Sequence, residues 1–203
     1  MKLNEKVLLF SFVTLATAAT APAFARDAHP NYIGISAGEA TVEDFCGDGE
    51  SSCDDSASTF RIHTGAEVNN FVNFELGYRY IDDVEASGAI NSVGVTAAVT
   101  GHFVDTTFQL GMPESGPFRI FSKAGLQFWR LKVDVAASNG VQTLSGSDSH
   151  TGVGFRTGLG MSYEVSERLR LRADWDFLVN IGDEDEIGET DINVFSAGPE
   201  FRF

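Results

Sequence analysis

Residues able to do chemistry fall into three groups in this chain, and each group points to a different task. Cys46 and Cys53 flank a glycine-containing stretch, Phe45-Cys-Gly-Asp-Gly-Glu-Ser-Ser-Cys53. In an exported chain such a pair reads as one disulfide, with a two-thiol metal site as the alternative. The bases His63, His102 and His150 form the second group, and Asp148-Ser149-His150 holds the residue types of a hydrolytic triad. Sequence neighbours rarely make a working triad, however, and no Ser-Xaa-Gly nucleophile elbow stands at a strand end. The expectation is therefore not an enzyme, and no cofactor or metal site is assigned. The third group is the largest: charged residues of both signs that recur at every second position, between apolar ones.

That spacing identifies the elements that must carry the charges. Asn73-Phe-Glu-Leu-Gly-Tyr-Arg-Tyr80 sets Phe74, Leu76, Tyr78 and Tyr80 on one face and Asn73, Glu75, Gly77 and Arg79 on the other. A period of two is a strand with two different environments on its faces. Phe60 to Glu67, Val104 to Met112, Phe118 to Phe128, Val153 to Val165 and Leu169 to Phe177 repeat the pattern, and Phe121 alone intrudes as an apolar residue on a polar stripe. With Tyr32 to Ala40 in front and Phe195 to Phe203 behind, the count is eight strands.

The other end of the chain names the two environments. Lys2 and Lys6 precede the short apolar run Val7 to Ala18, and Ala23-Phe24-Ala25 offers small residues for cleavage. These are the parts of a secretory signal over residues 1–25, leaving 26–203 as one exported domain. The run is too short to span a bilayer as a helix. With 29 acidic against 14 basic residues the chain carries a net charge of −15, which argues against nucleic-acid binding. Its 43% hydrophobic content and 17 Phe argue against disorder.

A soluble sandwich also alternates, so three features decide for a membrane barrel. The apolar stripes carry almost no charge. The connections alternate short (Val68 to Phe71, Pro113 to Gly116, Ser166 to Arg168) and long (Glu43 to Ala57, Ile81 to His102, Leu131 to Thr151, Ile181 to Thr190). Such alternation is the mark of an up-and-down meander with turns at one rim and loops at the other. Finally, the polar stripes are rich in glycine, which suits a crowded lumen. The predicted fold is an all-β, eight-stranded antiparallel up-and-down transmembrane β-barrel with short periplasmic turns and long extracellular loops.

Tyr32-Ile-Gly-Ile-Ser-Ala-Gly38, Phe74-Glu-Leu-Gly-Tyr78, Lys123-Ala-Gly-Leu126 and the terminal Phe201-Arg-Phe203 resemble the OmpA-like small outer-membrane β-barrel family of Gram-negative bacteria. The resemblance implies insertion into the outer membrane by the barrel-assembly machinery, with Phe203 and Phe201 as the assembly signal. It also implies a central gating pair at Glu75 and Lys123, with Arg79 and Asp174 as neighbours. A chain ending at Phe203 leads to the expectation of a barrel without the peptidoglycan-binding domain of larger members.

Turning the polar stripes inward puts Arg61, Arg79, Arg119, Lys123, Arg156, Arg170, Arg172 and Arg202 in the lumen. It puts Glu67, Glu75, Asp105, Glu164, Asp174, Asp176 and Glu200 there with them. Near-balanced charge in a narrow space predicts an ion-pair network that plugs it. The remaining acids crowd the long loops, Asp183-Glu-Asp-Glu-Ile-Gly188 most densely, but without EF-hand spacing. These observations predict a structural or surface-interaction role in envelope integrity or adhesion. Expected partners are outer-membrane lipid and lipopolysaccharide, and a host or matrix ligand at the loops. A narrow gated ion channel is the alternative, and a lipid-modifying enzyme the third reading.

Overall fold

The computed structural model describes residues 31–43, 45–46, 52–90, 93–112, 116–183 and 188–203. The expected signal segment lies outside these residues, as do Asp44, Asp48, Glu50 and Glu184 to Glu186. The described chain forms nine strands: β1 (Asn31–Val42), β2 (Ser52–Asp54), β3 (Ser56–Glu67), β4 (Val72–Ile90), β5 (Val93–Gly111), β6 (Phe118–Ser138), β7 (Thr143–Ser166), β8 (Leu169–Asp183) and β9 (Gly188–Arg202). All but β2 build a closed wall, each pairing antiparallel with the next in chain order, and β9 returning to β1. Where the wall closes, Asn31 N donates to Phe203 O at 3.2 Å and Phe203 N donates to Asn31 O at 2.9 Å. Closure satisfies the backbone groups that an open edge would leave bare in hydrocarbon.

The turns follow from their residues. After β3, Asn69 Oδ1 accepts hydrogen bonds from Phe71 N and Val72 N, both at 2.9 Å. Between β6 and β7, Asn139 Oδ1 takes Val141 N at 3.0 Å and Gln142 N at 2.8 Å while Gly140 adopts a φ of 83°. An asparagine that mimics a turn carbonyl, next to a glycine free to go left-handed, is a compact way to reverse a strand.

The wall is inside out relative to a soluble protein. Phe108 is 59% exposed and faces outward, whereas Glu75 and Asp176 on the inner face are fully buried. Phe60, Leu76, Leu126, Phe155 and Phe195 extend the outward apolar band around the barrel. So large an exposed apolar surface, with charges for a core, excludes the sandwich and fits a sheet solvated by lipid.

Two departures from the sequence reading concern the rim opposite the short turns. Most of the stretches expected as loops, Ile81 to His102 and Leu131 to Thr151, are paired strand, because β4 runs to Ile90, β5 starts at Val93, β6 runs to Ser138 and β7 starts at Thr143. Ala, Ser, Gly and Thr fill these extensions, so the apolar–polar contrast that reveals a strand fades although the hydrogen-bond ladder continues. A four-stranded sheet therefore stands beyond the apolar band. One of its edges is covered: β2 pairs with β4 at Ser52↔Ser87, Cys53↔Ala86 and Asp54↔Glu85, and the Cys46–Cys53 disulfide ties β2 to the chain leaving β1. The other edge is open, since among the described residues no strand pairs with β7 between Thr143 and Gly154 on its outer side.

Second, two β-bulges sit at this level. The β4–β5 register shifts between Ile81 and Val84, and the β8–β9 register between Leu178 and Ile181, where Asn180 has a φ of 61°. Each bulge turns two apolar residues inward where simple alternation would turn one.

Candidate functional site

Facing strands deliver the charges into the barrel. Glu75 on β4 is the hub. Its carboxylate accepts Arg61 Nη2 at 2.7 Å, Arg172 Nη1 at 2.5 Å, Gln109 Nε2 at 2.6 Å and Tyr32 Oη at 3.3 Å. On the loop side of this hub, Arg61 also reaches Asp105 at 2.8 Å, and Arg156 bridges Asp105 to Asp176, the latter at 2.7 Å. Arg79 meets Asp176 at 2.6 Å. Lys123 pairs with Asp174 at 2.6 Å and with Asp176. Arg172 holds Asp174 through Nε at 2.8 Å and lies 5.0 Å above the Phe121 ring. The inward Phe121 thus has a cation to cover. Toward the short-turn rim, Arg170 bridges Glu200 (3.4 Å) and Glu67 (3.5 Å), and Arg202 bridges Glu67 (3.2 Å) and Glu164 (3.4 Å).

The sequence-named residues Glu75, Lys123, Arg79, Asp174, Arg172 and Arg61 all lie in this one network, with Asp174 beside Lys123, but the central pair itself is arranged differently. No ion pair joins Glu75 to Lys123. Glu75 takes Arg61 and Arg172, Lys123 takes Asp174 and Asp176, and Arg172 with Asp174 forms the link between them. Register explains the difference. Gly65 and Thr107 flank Glu75 on the neighbouring strands, so it meets Arg172 of β8 across the lumen, whereas Gly158 lies between Lys123 and Asp176 and lets the lysine reach over β7 to β8. Space is tight enough that a Cβ on Gly77 would stand 2.3 Å from Arg61 Nη2.

His63, Glu75 and Glu200 bring metal-ligand atoms within 4.8 Å of one another, a grouping that sequence reading did not single out. Arg172 Nη1 occupies that spot, at 2.5 Å from Glu75, 3.2 Å from Glu200 and 3.4 Å from His63 Nε2. A guanidinium thus supplies the positive charge that the trio faces.

Above the ions lies a second layer that the sequence reading missed. Ala40, Val42, Ile81, Val84, Phe103, Trp129, Leu131, Leu178, Ile181, Ile192 and Val194 form one buried apolar cluster inside the barrel. Over it opens a cavity of ≈ 230 Å³, lined by Val42, Phe45, Val84, Val99, Leu131 and Ile192 among others. The signal for this layer was the inward parity of Phe103 and Trp129, which continue the stripes of Asp105 and Gln127.

Around the mouth, Glu43, Asp54, Asp55, Asp82, Asp83, Glu85, Asp134, Asp148, Glu189 and Asp191 make the rim acidic. Lys132 bonds Asp134 at 2.6 Å and holds its carboxyl below the usual carboxylate range. Most of the Asp183 to Gly188 run lies outside the described residues. Ser149 and His150 are successive strand residues, so their side chains leave β7 on opposite faces and do not meet as nucleophile and base. Cys46 and Cys53 are bonded to each other. Phe201 faces outward in the short-turn half, and Phe203 lies at the closing seam.

Comparison with known proteins bears on this arrangement. The OmpA-like transmembrane domain matches residues 26–203, beginning one residue after the expected cleavage point. Outer membrane protein A of Serratia marcescens is 27% identical over 208 residues, covering 98% of this chain and 56% of that protein. Its counterpart in Escherichia fergusonii is 29% identical over 140 residues, covering 68% of this chain and 38% of its own length. The chain thus spans about half or less of the curated relatives it matches. Among solved structures, Neisserial surface protein A superposes with a TM-score of 0.61 at 17% identity, covering 85% of this chain and 97% of that one. Ail, the attachment invasion locus protein of Yersinia pestis, gives 0.54 at 13% identity, covering 87% and 99%. These last two likenesses speak to the fold. A closed wall with an apolar exterior, a buried ionic lumen and a family match over the whole described chain lead to one assignment: the chain belongs to the OmpA-like transmembrane domain family and resides in the outer membrane of Gram-negative bacteria.

Proposed function

We propose that the protein is a plugged outer-membrane barrel with a structural or surface-interaction role, in envelope integrity or adhesion, exerted through its tall acidic hairpins. The observation that supports this most is the continuity of the lumen filling. Ion pairs run from Arg79 to Arg202, and an apolar layer closes over them. Eight strands enclose little more than their own side chains, so a lumen so filled passes no solute by diffusion. The name of Ail as an attachment protein is in keeping with this reading but belongs to Ail. The barrel-assembly machinery is the expected reader of Phe203 during insertion, and a host or matrix ligand the expected partner of the hairpins.

The test is twofold. The mature chain, reconstituted in a planar bilayer, stays electrically silent. Trimming the hairpins within residues 84–99 and 133–149 abolishes adhesion of cells carrying the protein and leaves the barrel folded, as read by its heat-dependent gel mobility. One geometric fact supports the narrow gated channel as a second reading. Glu75 and Lys123 are a single relay apart through Arg172 and Asp174, so one exchange of partners rewires the middle of the lumen. Discrete current steps altered by Glu75→Gln or Lys123→Gln would establish that reading over the first.

A further inference from the structure

Most basic residues of the described chain point into the lumen. Arg130 and Lys132 are exceptions, two positions apart on the outward face of β6. Below them the same face reads Phe118, Ile120, Ser122, Ala124, Leu126 and Phe128. Eleven residues of tilted strand span about 25 Å, the height of an outer-membrane apolar band. Arg130 is therefore the first residue above the lipid tails, at headgroup depth on the long-hairpin side.

Its neighbours at that depth are fixed by register. Tyr80 pairs with His102, His102 with Arg130, and Arg130 with Thr151, so four strands present a row of hydrogen-bonding side chains. Tyr78 Oη and His102 Nδ1 are 2.8 Å apart. When the phenol donates, the ring proton is on Nε2, which is left to donate outward. Lys132 is engaged by Asp134, whereas no ion pair involves Arg130 among the described residues. One step lower the row is Tyr78, Val104, Phe128 and Val153. An outer-surface groove of ≈ 440 Å³ joins the two levels, lined by His102 and Arg130 above and by Val104, Phe128 and Val153 below. Donors over an apolar slot, on a rim otherwise crowded with carboxylates, complement a molecule that carries an anion on top of acyl chains.

We infer that this groove binds a phosphorylated glycolipid of the outer leaflet, a lipid A phosphate on Arg130 and His102 with an acyl chain along Val104, Phe128 and Val153. The site rests on the outer-membrane reading and on the long hairpins facing outward, and it deepens that reading by naming a lipid partner and its contacts. The guanidinium fork suits phosphate better than an ammonium would.

The experiment uses the mature protein in phosphatidylcholine nanodiscs, titrated with diphosphoryl lipid A and with chemically dephosphorylated lipid A, and bound lipid is counted by native mass spectrometry. Diphosphoryl lipid A binds the unaltered protein about tenfold more tightly than it binds the Arg130→Gln/His102→Gln variant, the loss expected for charged hydrogen bonds. Dephosphorylated lipid A binds both proteins equally weakly, and Val104→Ser/Val153→Ser reduces binding of the phosphorylated form. Equal affinity of Arg130→Gln/His102→Gln and the unaltered protein for diphosphoryl lipid A would overturn the site. So would full competition by inorganic phosphate at the lipid's own concentration, which would remove the lipid as ligand. Heat-dependent gel mobility and outer-membrane fractionation of each variant keep the two readings apart. A folded, correctly located barrel without lipid discrimination fails the groove alone, and loss of outer-membrane location fails the reading beneath it.

Discussion

Two layers share the lumen of this barrel and are held by opposite physics. The lower one is made of charges that link strand to strand, with Glu75, Asp105, Asp174 and Asp176 each meeting two or more cations. The upper one is an apolar cluster that two bulges help to assemble. Surrounded by hydrocarbon, the lower layer has no water in which to shed an unpaired charge, so its members depend on one another. The upper layer sits near the mouth, where burial of apolar area drives packing as it does in a soluble core. Removing a residue should therefore act differently in each: network-wide below, local above.

Arg172→Met gives the largest effect. It strips the cation shared by Glu75, Asp174 and Glu200 and should cost about 3–5 kcal/mol, the range for breaking a buried ion pair. Urea unfolding in detergent micelles reads this directly. The comparison breaks if the loss is under about 1 kcal/mol. Next comes Phe103→Ala, about 3 kcal/mol from lost burial and the void left behind. A small apolar solute that fills the void should partly restore it, and no such rescue should occur for Arg172→Met. Cys46→Ser with Cys53→Ser should cost at most about 2–3 kcal/mol, most of it confined to the loop. Limited proteolysis should cut faster between residues 43 and 55 while the barrel midpoint hardly moves. The smallest effect belongs to Lys132→Ala, a loss near the noise of the unfolding measurement and vanishing in high salt, because its pair with Asp134 is exposed to water. Salt sensitivity at the rim against salt insensitivity in the lumen would sharpen the contrast.

How much of this was legible in the sequence follows the same division. The faces of the strands could be read because a period of two survives any register, and even the misfit Phe121 was visible as an exception. Which charge meets which could not, because Arg172 and Glu75 are 97 residues apart and their contact depends on the stagger between strands. The resemblance pointed to Glu75 and Lys123 as a pair, and the stagger gave each of them other partners. The upper layer was hidden for another reason. Once a stripe labelled polar turns to Phe103 or Trp129, parity still says inward, but the rule that apolar means lipid-facing says outward. Bulges at Ile81/Val84 and Leu178/Ile181 compound this by resetting parity within a strand. The hairpin extensions read as loops because Ala, Ser, Gly and Thr continue the hydrogen-bond ladder without the apolar–polar contrast that marks a strand.

The uneven treatment of the two edges of the extracellular sheet has a consequence in terms of valence. A sheet with both edges open behaves as a bifunctional monomer, since each strand it accepts leaves another edge to accept the next, and growth has no natural end. Here the three-residue β2, pinned by the Cys46–Cys53 bond, covers the edge of β4, and among the described residues of this sheet only β7 presents a long bare edge. That makes the sheet monofunctional. It can be extended by one strand, on one side, and between two such molecules the reaction terminates.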